Sequence, residues 1–196
     1  MPTKAEQAEA TRAALLGTAR SLFAARGFAS TSTEELVAAA GVTRGALYYH
    51  YTDKRALFEA VFEDLERELV EALLAKLSAV ADDPLALLHG GVEAFLDACL
   101  DPAIQRIALL EAPAVLGWER YREIEQTYGL GVARAALQSA MDAGVVTKQP
   151  VEPLAHVLFG GLVEAALYMA AAPDQRRARR EVGAALRTLI DGITSA

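Results

Sequence analysis

Cysteine and tryptophan each occur once in this sequence and histidine three times, so several kinds of chemistry lack their raw material. The single Cys99 excludes an intramolecular disulfide and reads as a small buried apolar residue in preference to a redox sensor. His50, His89 and His156 are scattered without metal-ligand spacing, so no metal and no other cofactor is expected. Glycine-rich phosphate loops and dinucleotide fingerprints are missing. His89-Gly90-Gly91 looks like part of an esterase oxyanion loop, yet the chain contains no Gly-x-Ser-x-Gly elbow to go with it. An enzyme is therefore not expected. No export signal marks the Met1 end, and every long apolar stretch is interrupted by a charge or a proline. The expectation is a soluble, cytoplasmic chain with no membrane partner. β-Branched residues are few beside abundant Ala and Leu, which favours an all-α fold.

Basic charge is also scarce. The formal net charge of -7 speaks against nucleic acid, because phosphate neutralisation by Lys and Arg supplies most non-specific affinity. The average conceals an asymmetry. Residues 1–55 hold seven basic side chains (Lys4, Arg12, Arg20, Arg26, Arg44, Lys54, Arg55) against five acidic ones, and the remainder holds twelve against twenty-one. A mildly basic head on an acidic body is the pattern of a DNA-binding segment joined to something else.

Apolar spacing predicts a helix from about Ala5 to Arg26, stopped by Gly27, after which Phe28 packs back. Ser32-Thr33-Glu34-Glu35 is a capping-box pattern that opens a short helix ending at Gly41. Thr43 caps a second short helix through Tyr51, and Asp53 caps a long one from Lys54 to about Val80, roughly 27 residues and about 40 Å at the helical rise. Further helices are placed at about 84–100, 102–112, 118–143, 152–172 and 174–194, with Glu111-Ala112-Pro113 expected to break the chain. The coarse reading is about nine helices in two coupled domains, residues 1–53 and 54–196, joined through the connecting helix 54–80.

Two short helices around a glycine-containing turn, the second capped and rich in groups that reach bases and phosphates, have the form of a helix-turn-helix. Ala38-Ala39-Ala40 allows close crossing, Gly41 gives the turn its freedom, and Val42 and Leu47 are the expected core plugs. Arg44, Gly45, Ala46, Tyr48 and Tyr49 fall early on the second helix, which in the major groove presents its N-terminal residues to base edges. Arg44 is the candidate base reader, suited to a bidentate contact with guanine worth about 1–3 kcal/mol of discrimination. Gly45 or Ala46 suits a thymine methyl. Ser32, Thr33, Thr43, Tyr48, Tyr49, His50 and Lys54 are candidate phosphate ligands. A short helix cannot bury both tyrosines, so at least one belongs to the surface.

Over about residues 10–62 the chain resembles the DNA-binding head of the tetracycline-repressor (TetR) family. Leu22-Phe23-Ala24, Gly27-Phe28, Ala40-Gly41-Val42, Thr43 to Tyr51 and Asp53-Lys54 stand in that family's order and at its intervals. Thr33 and Glu34 depart from it, where an aliphatic residue and, in some members, a base are usual.

The resemblance implies a three-helix DNA-binding head and a helical ligand-binding and dimerisation domain. It also implies a ligand-responsive regulator, foremost a repressor, that grips a palindromic double-stranded operator as a homodimer and is released by a small apolar or amphipathic effector. The dimer seam it implies uses the last two helices, here Leu154, Leu158, Gly161, Leu162, Ala165 and Met169 with Leu186, Leu189 and Ile193. Phe95, Cys99, Leu110, Trp118, Tyr121, Tyr128, Met141, Phe159 and Tyr168 are candidates for an effector pocket, although ordinary core packing is the more usual role for each. Two other readings stay open: a helical ligand-binding bundle or enzyme whose head no longer binds DNA, and an activator or a regulator that needs a co-ligand. Arg176-Arg177-Ala178-Arg179-Arg180 is read as a solvated face.

Overall fold

The computed structural model describes residues 3–80 and 82–194, and these are helical almost throughout. Among them there is no strand, only an isolated bridge between Val146 and Thr194. The chain divides into two compact units, residues 1–65 with 102–121, and residues 66–101 with 122–196.

The first unit begins with α1 (Lys4–Arg26), α2 (Thr33–Ala40), α3 (Arg44–His50) and the opening turns of α4 (Lys54–Leu77). The predicted caps form. Ser32 and Glu35 make the reciprocal capping box, Thr43 Oγ1 accepts from the Ala46 N–H at 3.1 Å, and Asp53 Oδ1 accepts from the Ala56 N–H at 2.7 Å. Gly41 closes α2 in the left-handed region at φ 66°, where a side chain would be strained. The core is aromatic: Phe23, Phe28 and Phe58 meet with ring centroids 5.3 to 5.8 Å apart, and Phe62 stacks on Tyr121. Leu47 is fully buried, whereas Val42 is only half-buried.

A later segment returns to this unit. It comprises α6 (Pro102–Ile104), a π-helical turn (Gln105–Glu111), α7 (Ala112–Leu116) and the start of α8 (Trp118–Thr127). The break expected at Pro113 is absorbed. The Ala112 N–H reaches back five residues to the Ile107 carbonyl, and the wide turn carries the chain into α7 with Pro113 in its first turn, where a missing N–H costs nothing. The unit holding the short helices is therefore not confined to the first 53 residues.

The second unit contains the rest of α4 and its 3₁₀ end (Ser78–Val80), α5 (Pro84–Ala98), the rest of α8, α9 (Gly129–Asp142), α10 (Val151–Ala171) and α11 (Gln175–Ile193). One helix expected over 118–143 is instead α8 and α9, parted at Tyr128, whose φ of −107° and ψ of −98° are not helical. Gly131 makes the tight restart possible, since a Cβ there would stand 2.8 Å from the Gln126 carbonyl oxygen. The core is aliphatic and built by α5, α9, α10 and α11 around Leu88, Leu96, Leu137, Met141, Phe159 and Leu186. By length and composition α10 is apolar enough to cross a bilayer, although Glu152, Pro153 and Glu164 interrupt it as the sequence led one to expect. One side of it meets α5, α9 and α11. Val157 and Tyr168 lie exposed along it.

Candidate functional site

In the first unit, α3 carries a single buried side chain, Leu47, and turns the rest of its surface outward. Arg44, Gly45, Tyr48 and Tyr49 are exposed on it, Tyr49 to 80%, and Ala46 and His50 are half-buried. Ser32 and Thr43 are exposed at the N-caps of α2 and α3, and Thr33 is half-buried in the first turn of α2. Ser32, Thr33, Thr43, Arg44, Gly45 and Ala46 thus lie at two helix N-termini, where backbone N–H groups and the helix dipole favour phosphate oxygens, and Tyr48, Tyr49 and His50 follow in the last turn of α3.

Two of these residues are engaged in ways the sequence did not reveal. Arg44 donates to Glu34 Oε1 at 3.0 Å and lies over the Tyr48 ring, 5.6 Å from its centroid. The acidic residue that departs from the family pattern therefore holds the base-reading candidate across the turn. Contact order conceals this pair, since ten residues separate its members and no helical period links them. Lys54 sends its ammonium inward, donating to the carbonyls of Phe28 and Thr31 at 2.8 Å each, with the Phe28 ring 4.1 Å away. It braces the loop between α1 and α2.

Residues 102–121 hold the same loop from the other side. Glu111 Oε2 accepts from the Phe28 N–H at 2.8 Å, and Arg55 donates to the Leu116 carbonyl. Arg120 bridges Glu59 and Glu63 of α4 at 2.9 and 2.8 Å. None of these four contacts was legible in the sequence, because each joins residues 57 to 83 positions apart.

The nine pocket candidates fall in both units. Leu110, Trp118 and Tyr121 belong to the first unit and the other six to the second. Leu110, Trp118 and Tyr168 are 58 to 69% exposed, so they line no enclosed cavity. Cys99, Met141 and Phe159 are buried in the second unit, with Phe95 and Tyr128 partly so. Of the seam residues, Met169 and Leu186 are buried inside the protomer, and Leu154, Leu158, Leu162, Ala165 and Ile193 pack partly against its core. Gly161 and Leu189 face outward, as do Val157 and Tyr168.

Sequence reading missed a buried acidic pair. Glu66 on α4 and Glu125 on α8 are only 5% and 4% exposed. Burial, and then the charge of Glu125, push the Glu66 carboxyl up to about 8. Burial and the same two glutamates push the Cys99 thiol up to about 12, so it stays protonated. The histidines take separate partners: His89 Nε2 lies 3.0 Å from Asp191, and His156 lies 2.8 Å from Arg122. In the arginine run, Arg179 pairs with Glu93 and Asp97, and Arg177 with Glu181. Among the described residues, no group of three or more His, Cys, Asp or Glu is arranged to hold a metal.

Residues 15–61 match the family described as bacterial regulatory proteins, tetR family, and residues 86–193 match the tetracyclin repressor-like C-terminal domain. The chain belongs to the TetR family. A TetR-family transcriptional regulator from Pectobacterium atrosepticum is 36% identical, with a TM-score of 0.81 and coverage of 100% of this chain and 99% of that one. The HTH-type transcriptional regulator AcrR of Shigella flexneri is 40% identical over 84 residues, which is 43% of this chain and only 39% of AcrR. RolR, solved in complex with resorcinol, shares the TetR fold at 24% identity and a TM-score of 0.72, over 95% of this chain and 90% of that one. As a TetR-family protein the chain is a transcriptional regulator with a DNA-binding helix-turn-helix.

Proposed function

We propose that this TetR-family regulator is a ligand-responsive repressor that binds a palindromic operator as a homodimer in the cytoplasm. The observation that carries the reading is the outward face of α3, where one buried leucine leaves Arg44, Gly45, Tyr48 and Tyr49 exposed behind a Thr43 cap. Residues 1–53 do the DNA work and residues 54–196 the effector binding and dimerisation. Arg44 reads a base, while Ser32, Thr33, Thr43, Tyr48, Tyr49 and His50 position the backbone. The exposed apolar side chains Val157, Tyr168 and Leu189 on α10 and α11 supply the seam, which also accounts for the apolarity of α10.

Two heads on successive major grooves must sit about 34–36 Å apart, so a small displacement of each head abolishes binding. The bond from Phe28 to Glu111 offers the lever, because moving residues 102–121 pulls on the loop that precedes α2. An effector that favours the displaced state by about 1–3 kcal/mol then releases the operator.

The test is selection of bound DNA from a random pool. A palindrome is expected, and Arg44→Ala is expected to relax one base per half-site at a cost of about 1–3 kcal/mol. Recovery of no palindrome overturns the reading.

A further inference from the structure

An unrestrained arginine on an exposed helix face samples many rotamers, and the nearest phosphate captures it whatever the base sequence beneath. Arg44 is restrained. Its Nη1 donates to Glu34 Oε1 at 3.0 Å, its Nη2 stands 3.5 Å from the Tyr48 hydroxyl, and its guanidinium lies over the Tyr48 ring. The two holds come from different elements: Tyr48 is one turn further along α3, and Glu34 is in the first turn of α2. Glu34 suits its place, because a carboxylate is favoured at a helix N-terminus. Both charged side chains remain more than 60% exposed, so the pair stands on the surface offered to DNA. Gly45, next to Arg44, presents no side chain, which lets a base edge approach the guanidinium closely.

We propose that Glu34 is a specificity-determining residue of the operator interface, one that positions Arg44 for a guanine and keeps it from phosphates. The inference rests on the reading of α3 as the operator-binding helix and adds how Arg44 chooses its partner. Each terminal guanidinium nitrogen carries two N–H groups, so the one that donates to Glu34 keeps another for a base. Guanine offers N7 and O6 side by side as two acceptors, and both can be met with the ion pair intact, whereas adenine sets an amino donor beside its N7. A phosphate is approached differently. To reach one the guanidinium must leave Glu34 and Tyr48, and the phosphate then faces an uncompensated carboxylate. Specificity is a difference of affinities, and Glu34 enlarges it by weakening mismatched complexes more than the matched one. An exposed ion pair is worth at most about a factor of five, which sets the size of the effect.

Fluorescence anisotropy of the full chain measures binding to the selected operator, to the same duplex with the guanine–cytosine pairs that Arg44 reads replaced by adenine–thymine, and to an unrelated duplex. Those pairs are located as the positions whose preference relaxes in Arg44→Ala. Glu34→Ala is expected to raise affinity for the operator about twofold and for the other two duplexes about six- to tenfold, so that discrimination falls about three- to fivefold. In the Arg44→Ala background the same change is expected to leave discrimination unaltered. Equal gains on all three duplexes would make Glu34 a plain repulsive charge and overturn the proposal. So would no gain on any, a loss of discrimination that persists without Arg44, or an Arg44→Ala variant that relaxes no guanine. A recovered palindrome with discrimination intact in Glu34→Ala removes the role of Glu34 and leaves the repressor reading standing. Recovery of no palindrome removes both.

Discussion

The two units stabilise themselves by different means, and the difference decides where information about function is stored. The first packs aromatic rings, Phe23 of α1, Phe28 of the loop after it and Phe58 and Phe62 of α4, beside two short helices whose N-termini are capped by their own sequence. Most of its polar side chains cap, brace or face outward, and the Tyr51 hydroxyl is buried. The second packs mainly aliphatic side chains between α5, α9, α10 and α11, and it buries two acids, Glu66 and Glu125, where burial pushes the Glu66 carboxyl up to about 8. Where polar groups serve the fold, the exposed remainder marks the working surface.

The sharpest way to break that contrast is Phe58→Ala. Phe58 is fully buried and touches the other two rings of its cluster, so truncation is expected to cost about 3–5 kcal/mol. Urea unfolding measures the loss, and hydrogen exchange should show it concentrated in residues 1–65 and 102–121. Protection lost equally in both units would mean that they unfold as one.

Next in size is Glu66→Gln. The folded chain holds this proton up to about 8, against an ordinary value of 4.5, so between those pH values the native state binds more protons than the unfolded state. Stability must therefore fall as pH rises across that window and level above it. At about 1.4 kcal/mol per unit, the variant is expected to gain roughly 2–4 kcal/mol over the parent at pH 8 and under about 1 kcal/mol at pH 5. Denaturation midpoints at both pH values check this, and a constant difference would remove the strain assigned to the pair.

Lys54→Met separates two roles of one residue. It keeps the stem on Phe28 but leaves the Phe28 and Thr31 carbonyls without their donor, which is expected to cost about 1–3 kcal/mol of stability. A role limited to phosphate binding predicts unchanged stability and a salt dependence of DNA binding flatter by about one charge.

Glu34→Gln is expected to have the smallest effect. Both partners of the Arg44–Glu34 pair are more than 60% exposed, so stability should scarcely move. DNA affinity should rise about two- to fivefold at low salt, since the change releases Arg44 and removes a negative charge facing phosphates, and the gain should shrink as salt rises. Fluorescence anisotropy at two salt concentrations reads it directly. No change would make the pair incidental to DNA binding.

Helix boundaries in the head were legible because they are set locally. Ser32 and Glu35, Thr43 and Ala46, and Asp53 and Ala56 each lie three residues apart, so a cap is written in a single stretch of chain. The outward face of α3 was legible for the same reason, since seven residues with one leucine plug leave little choice. The division at Tyr128 was not, because the sequence around it keeps helical apolar spacing and the backbone departs from the helix only in the packed unit.

What the sequence determined by itself was the all-helical class, the capped short-turn-short pair and the resemblance to TetR heads, all properties of spacing over a few residues. Only the tertiary structure decided that Glu34 grips Arg44, that Lys54 turns inward, that residues 102–121 brace the first unit, and that two glutamates meet in the second. Each of these depends on which distant side chains folding brings within about 4 Å. Desolvation then assigns their energies, and neither quantity has a period along the chain.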